Sequence, residues 1–416
     1  MNPPKTTQVL HPSGRLYEAF RAFSRSHPEA CWFQTDAFFR LAMEWPEAEP
    51  VLMLAVREEG LRDPGLRGSG FRGSGLRNAG LGGSDTGGTG GQQPPGSPGE
   101  KKPASKAKTP QDASADMVAG SLLGVILREP HPAKTLLKAF AGPYRKLTTR
   151  TLVYGGPLLA EGTRLQREMT LKVLLRALQD EARSRSLFTQ LRNFHDLSDY
   201  KPLFRDAGFE WHDHLNQLVD TSSEEALWKG LSESRRRQVQ KSLDNGAEVV
   251  HDPSPAQVDE LYAILQELYT KKVRKPLPSR AFFHALSGMP GDQAITIVVT
   301  HQKKVIGGIV CPVLPHKVMY EWYVCGLDRA YKDRGIHPSV LATWAALEYA
   351  AGNGIPEFDF MGMGTPDEAY GVRTFKERFG GRMVNHGRYS TVNRKLLYSV
   401  AELGYNLVTV GSRRPG

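Results

Sequence analysis

The last third of the chain strings together three strand-like runs, a long helix, another strand and a short helix, and few folds accept that order. Residues 294–300, 305–310 and 319–324 are apolar and rich in β-branched or aromatic side chains, as strands require. A helix is expected from about residue 338 to 351, a strand at 358–362 and a short helix within 371–381. Strand ends and a helix N-terminus then converge, and a single buried-looking lysine, Lys376, follows within reach. That arrangement suits a reaction in which negative charge develops on an acyl oxygen.

A chain of 416 residues exceeds one ordinary core and points to two domains. Its net charge of +10 favours an anionic partner: RNA, a phosphorylated metabolite or an acidic membrane surface. Only three cysteines occur, Cys31, Cys311 and Cys325, without metal-ligand or disulfide spacing. The twelve histidines show no paired ligand pattern, so no metal is expected. Neither a secretory signal nor a run near the roughly 20 apolar residues of a membrane span is present, so a cytoplasmic protein is expected. Peripheral contact with the inner membrane surface stays open, and no DNA partner is expected.

From Gly60 the text repeats every five residues (GLRDP, GLRGS, GFRGS, GLRNA, GLGGS) and continues rich in Gly, Pro, Ser and Lys. Such composition cannot bury enough apolar surface to offset ordering, so 60–116 is expected to be disordered. Strand-like runs flank it at 50–56 and 120–127, which makes it the swollen turn of a hairpin. The first domain is accordingly 1–59 plus 117–220. It holds a strand near 151–154, a helix over about 163–183, strands at 188–191 and 209–219, and a short helix near 200–206. Basic connecting helices occupy 221–247, with Ser222 and Glu225 forming a capping box. The second domain, 248–395, repeats the order hairpin, helix, strand, and 396–416 reads as a C-terminal helix and tail.

The run from Leu231 through Arg235-Arg236 to Gly246, the end of the strand at Phe358-Asp-Phe-Met-Gly362 and Gly371-Val-Arg-Thr-Phe-Lys376 resemble the Fem family of non-ribosomal aminoacyltransferases. Trp32-Phe-Gln-Thr and Tyr154-Gly-Gly-Pro157 fit the same pattern. The resemblance implies an α/β (α+β) fold of two tandem GNAT-like domains, each a mixed, mostly antiparallel sheet flanked by helices. It implies transfer of an aminoacyl group from charged tRNA to an amine on a cell-wall peptidoglycan precursor. Lys376 would then stabilise the transition state, and Arg236 would lie near the arginine that holds precursor phosphate.

The second half also resembles acyl-CoA-dependent GNAT N-acyltransferases, whose pyrophosphate loop would fall on Lys332, Gly335 and His337. Aminoacyl-tRNA or acyl-CoA is thus the co-substrate, with no tightly bound cofactor. Glu321 and Tyr323 are expected on one strand face, and Asp359 sits on a central strand; these three join Lys376 as catalytic candidates. Arg236, Arg237, Tyr370, Arg373 and Phe375 are candidates for substrate contact, although Phe375 with Val372 and Phe379 also reads as a core stripe. A non-catalytic RNA- or precursor-binding protein with the same fold is the reading from a different class.

Overall fold

The structure, a computed structural model, describes residues 4–9, 11–57, 116–128, 148–273, 275–367 and 371–399. The insertion expected at 60–116, save its last residue, lies outside these, as do Tyr370 and the tail from residue 400.

Two sheets carry the fold. The first orders its strands Lys5–Val9, Ala48–Val56, Val118–Leu127, Arg150–Gly155, Phe188–Asn193, Arg388–Val392 and Glu210–His212, with Leu158–Leu159 added on Val118–Leu127. The second orders them Ala247–Val250, Ala294–His301, Lys304–Leu314, Val318–Tyr320, Glu357–Gly362, Leu215–Asp220 and Arg382–Asn385, with Tyr323–Gly326 added on Lys304–Leu314. The two orders superpose strand for strand. In each, only the fourth and fifth strands pair in parallel, and a long helix joins them: Arg164–Arg183 in the first, Pro338–Gly352 in the second. This is the duplicated, mostly antiparallel architecture expected from the sequence.

The sixth strand of each sheet comes from the other half. Leu215–Asp220, expected to close the first domain, pairs between Glu357–Gly362 and Arg382–Asn385. Arg388–Val392, expected in the second domain, pairs between Phe188–Asn193 and Glu210–His212. The strand anticipated over 209–219 therefore breaks at Asp213-His214. Its turn is held by Asn385 from the reciprocal crossover, whose Nδ2 donates to Asp213 Oδ1 at 2.9 Å and whose Oδ1 accepts from His214 N at 3.0 Å. Neither half can complete its sheet alone.

Alternation sorts the faces. Val153, Leu191 and Tyr389 pack toward the helix Arg164–Arg183, while Leu152 and Tyr154 turn toward the second half. There Phe33 stacks on Tyr154 and Phe194 and meets Tyr320 and Trp322 edge-on, so one aromatic core spans both halves. The first connecting helix, Glu224–Gly230, is capped by Ser223 rather than the expected Ser222, which bonds Asp220 instead.

Arg57 N still bonds Met117 O at 3.0 Å, so the chain leaves and re-enters the first sheet at one place. Replacing 60–114 by a short turn is expected to leave the melting temperature within a few degrees. A large fall in a thermal scan would show that the segment supports the fold.

Candidate active site

The second sheet opens just past Tyr320. Tyr320 pairs with Asp359, Glu321 N reaches Asp359 O at 2.9 Å, and the parallel ladder stops there. Tyr323–Gly326 continues only along Lys304–Leu314, so the strands part in a V. On its other side Glu357–Gly362 also loses register with Leu215–Asp220 between Asp359 and Gly362, and Met361 takes a φ of 56°, a region costly for a side chain.

Lys376 fills that defect. From the helix Gly371–Glu377 its ammonium donates to Phe360 O and, at 3.3 Å, to Gly362 O, and pairs with Glu321 Oε1 at 3.1 Å. Lysine and glutamate are 6% and 4% exposed, so this is a buried pair and not a solvated helix lysine. Burial pushes the Glu321 carboxyl up and Lys376 opposes it. Glu321 Oε2 has no hydrogen-bond partner among the described residues.

Asp359 lies on the face toward the first half, 3% exposed. Met361 N donates to its Oδ1 at 2.6 Å, and Asn216, from the exchanged strand, donates to both oxygens at 3.3 and 3.2 Å. Burial nevertheless carries its pKa up to about 7, against these hydrogen bonds.

Tyr323 does not share a face with Glu321. The break after Tyr320 resets the alternation, and its ring packs with Trp322, Phe282 and Phe283. The arginines expected on substrate have internal work. Arg236 Nη1 donates to the carbonyls of Trp228, Lys229 and Leu231, closing the end of Glu224–Gly230, and exposed Arg237 lies 3.7 Å from Glu233. Arg373 holds the carbonyls of Met363, Thr365 and Pro366, tying down the loop before its helix. Phe375 lies under the buried Arg235 guanidinium, 4.5 Å from ring centre, whereas Val372 is exposed. Tyr370 falls outside the described residues.

The loop with Lys332, Gly335 and His337 does precede a helix N-terminus, and Gly335 takes a φ of 68°. Its donors are occupied, however. His337 N donates to Ser242 Oγ at 2.9 Å, Pro338 has no N–H, and Ser339 N donates to Asp328 Oδ1 at 3.2 Å. A pyrophosphate here must displace Ser242 and meet a carboxylate. Asp328→Asn is expected to tighten acetyl-CoA by about 1 kcal/mol, roughly fivefold, by calorimetry. Unchanged affinity would place the pyrophosphate elsewhere.

Residues 233–376 match the family model described as an acetyltransferase (GNAT) domain. That segment, the core of the second half, is thus similar to GNAT acetyltransferase domains. A crystal structure of FemX is 11% identical and aligns over 95% of this chain and 99% of that one, with a TM-score of 0.55; it shows that the tandem fold extends over both halves. A tandem GNAT protein from the clavulanic acid biosynthesis pathway, solved without AcCoA, is 12% identical over 94% of this chain and 99% of that one, TM-score 0.49. The C-terminal domain of a putative lysylphosphatidylglycerol synthetase from Agrobacterium fabrum is 13% identical over 68% and 85%, TM-score 0.43. No curated protein matches the sequence.

Outside the GNAT match, Asn216, His214 and Arg388 reach the opening only through the strand exchange. Nothing in their spacing could have announced it. Among the described residues no helix is long and apolar enough to cross a membrane, and no cluster could hold a metal ion.

Proposed function

We propose that the protein forms an amide by passing an aminoacyl or acyl group to an amine, at the V between Tyr323–Gly326 and Glu357–Gly362, on an acceptor of the cell-wall precursor kind. The observation that carries this reading is a buried carboxyl, Asp359, on the same strand end whose Phe360 and Gly362 carbonyls hold the buried ammonium of Lys376. Asp359 takes the proton that the amine sheds as its nitrogen bonds to the carbonyl carbon. Lys376 offsets the negative charge on the carbonyl oxygen, trading its 3.3 Å contact with Gly362 O for it. The tetrahedral intermediate then expels the donor's oxygen or sulfur, which takes the proton that Asp359 holds, and Asp359 is a carboxylate again. Glu321 pairs with the ammonium and aims it.

Supporting the aminoacyl donor is the occupied pyrophosphate turn; supporting the acyl-CoA donor is the family match over 233–376. Incubation with charged tRNA, with acyl-CoA and with neither, against a lysine-bearing muropeptide, is read by mass spectrometry. Donor-dependent mass gain is expected, lost in Asp359→Asn. Absence of transfer from either donor would leave a binding protein on a transferase fold.

A further inference from the structure

Two donors reach Asp359 from different segments. In the ladder Asp359 stands opposite Leu218 and Gly362 opposite Asn216, so between those pairs Glu357–Gly362 runs one residue longer than its partner. Within the surplus turn Met361, at a φ of 56°, swings its N–H back onto Asp359 Oδ1 at 2.6 Å, as in an Asx turn. Asn216, two residues from Leu218 and on the same face, reaches the carboxylate diagonally. A carboxylate offers about four acceptor sites, two on each oxygen. Oδ1 takes Met361 N and, at 3.3 Å, Asn216 Nδ2; among the described residues Oδ2 takes only Asn216 Nδ2, at 3.2 Å. The site left open therefore belongs to Oδ2.

The other polar groups near Asp359 do not hold it. Tyr320 stands beside it in register, and Lys376 gives its ammonium to the carbonyls of Phe360 and Gly362. Glu357, two residues back on the same face, lies 3.6 Å from Arg382. Cys31 acts on it from the first half. Burial pushes the Tyr320 hydroxyl up, and the Cys31 thiol up to about 12, so both stay neutral near pH 7. Among the described residues Asn216, itself buried, is the one side chain that donates to Asp359.

We propose that Asn216 is a positioning residue for the transfer: it turns Asp359 so that Oδ2 is the oxygen that receives the proton of the attacking amine. This role rests on the acyl-transfer reading; the hold on Asp359 does not. The nitrogen lone pair bonds to the carbonyl carbon while the carbonyl π pair moves to its oxygen beside Lys376. The N–H proton passes to Oδ2, and its bonding pair stays on nitrogen. Asn216 rides on the strand that the second sheet takes from beyond its own half, so the base is oriented only once that strand has docked.

Two readouts on the full chain test the proposal, the first without substrate. Asn216→Leu removes a donor to the charged form of Asp359 and so favours the protonated form. By chemical denaturation, the stability lost in Asn216→Leu should therefore grow as pH rises from about 7 to about 8, a shift of about one pH unit for one hydrogen bond to a charged group. That growth should vanish in an Asp359→Asn background, which also cancels any titration of Glu357. In transfer assays Asn216→Leu should lower kcat about tenfold with KM little changed, and the pH midpoint of kcat/KM should rise by about the same unit. Asn216→Asp keeps the shape but sets a second carboxyl against the first, and should raise that midpoint even where the leucine variant folds poorly. A purely structural asparagine would cost stability and rate equally at every pH. A stability loss that does not vary with pH, or that varies equally in the Asp359→Asn background, overturns the hold. A pH-dependent loss beside an unmoved kcat/KM midpoint overturns Asp359 as the proton acceptor, and the positioning role with it.

Discussion

Lys376→Met is expected to destabilise the protein by about 3–5 kcal/mol, because it strands the Glu321 carboxylate in an apolar surround. Phe360 and Gly362 would also lose the donor that satisfies their carbonyls at the break in the ladder. Chemical denaturation should show the loss directly. The double variant Lys376→Met with Glu321→Gln should recover a large part of it, since no buried charge remains, yet stay inactive. Such a cycle separates holding the fold from assisting the reaction. A double variant that is stable and fully active would remove Lys376 from the chemistry; a single variant as stable as the parent would mean the pair is solvated.

Asp359→Asn is expected to stabilise the protein above neutral pH while abolishing transfer. The carboxyl moves from an ordinary 3.8 to about 7 through burial, so the native state holds a proton that the unfolded chain has already released between those values. Stability from this residue is therefore fully present below about pH 4, falls as pH rises, and is lost once pH passes about 7. The span amounts to about 4 kcal/mol at about 1.4 kcal/mol per pH decade. Asparagine keeps the acceptor for Met361 N, and the Asn216 amide turns to meet it. Its melting temperature should exceed the parent's at pH 8 and fall below or match it at pH 4. For the parent, kcat/KM should rise through about pH 7 as the base ionises. A parent profile flat across that interval would exclude Asp359 as the proton acceptor.

Much of the scaffold was legible because it depends on local pattern. The apolar runs at 294–300 and 305–310 and the helix near 338–351 became Ala294–His301, Lys304–Leu314 and Pro338–Gly352, since β-branched runs and a long apolar helix opened by proline leave little choice. Lys376 was visible as a buried-looking lysine one position past Phe375, though its partner Glu321 was not. The arginine run misled. Arg235, Arg236 and Arg237 look alike in sequence, but helical geometry sends one over the rings of Phe375 and Phe379, one back to the carbonyls of Trp228, Lys229 and Leu231, and one outward. The expected shared face of Glu321 and Tyr323 failed because a break in a strand shifts every later side chain by one.

Amino-acid order alone determined that there are two similar α/β halves and that a cation follows the last crossover, because element identity follows from periodicities within a few turns. Only the tertiary structure decided which strand completes which sheet, and with it that Asn216 faces Asp359 and Arg388 faces Arg192. Those partners lie 143 and 196 positions apart, and pairing over such separations is set by which edge is free to accept a strand.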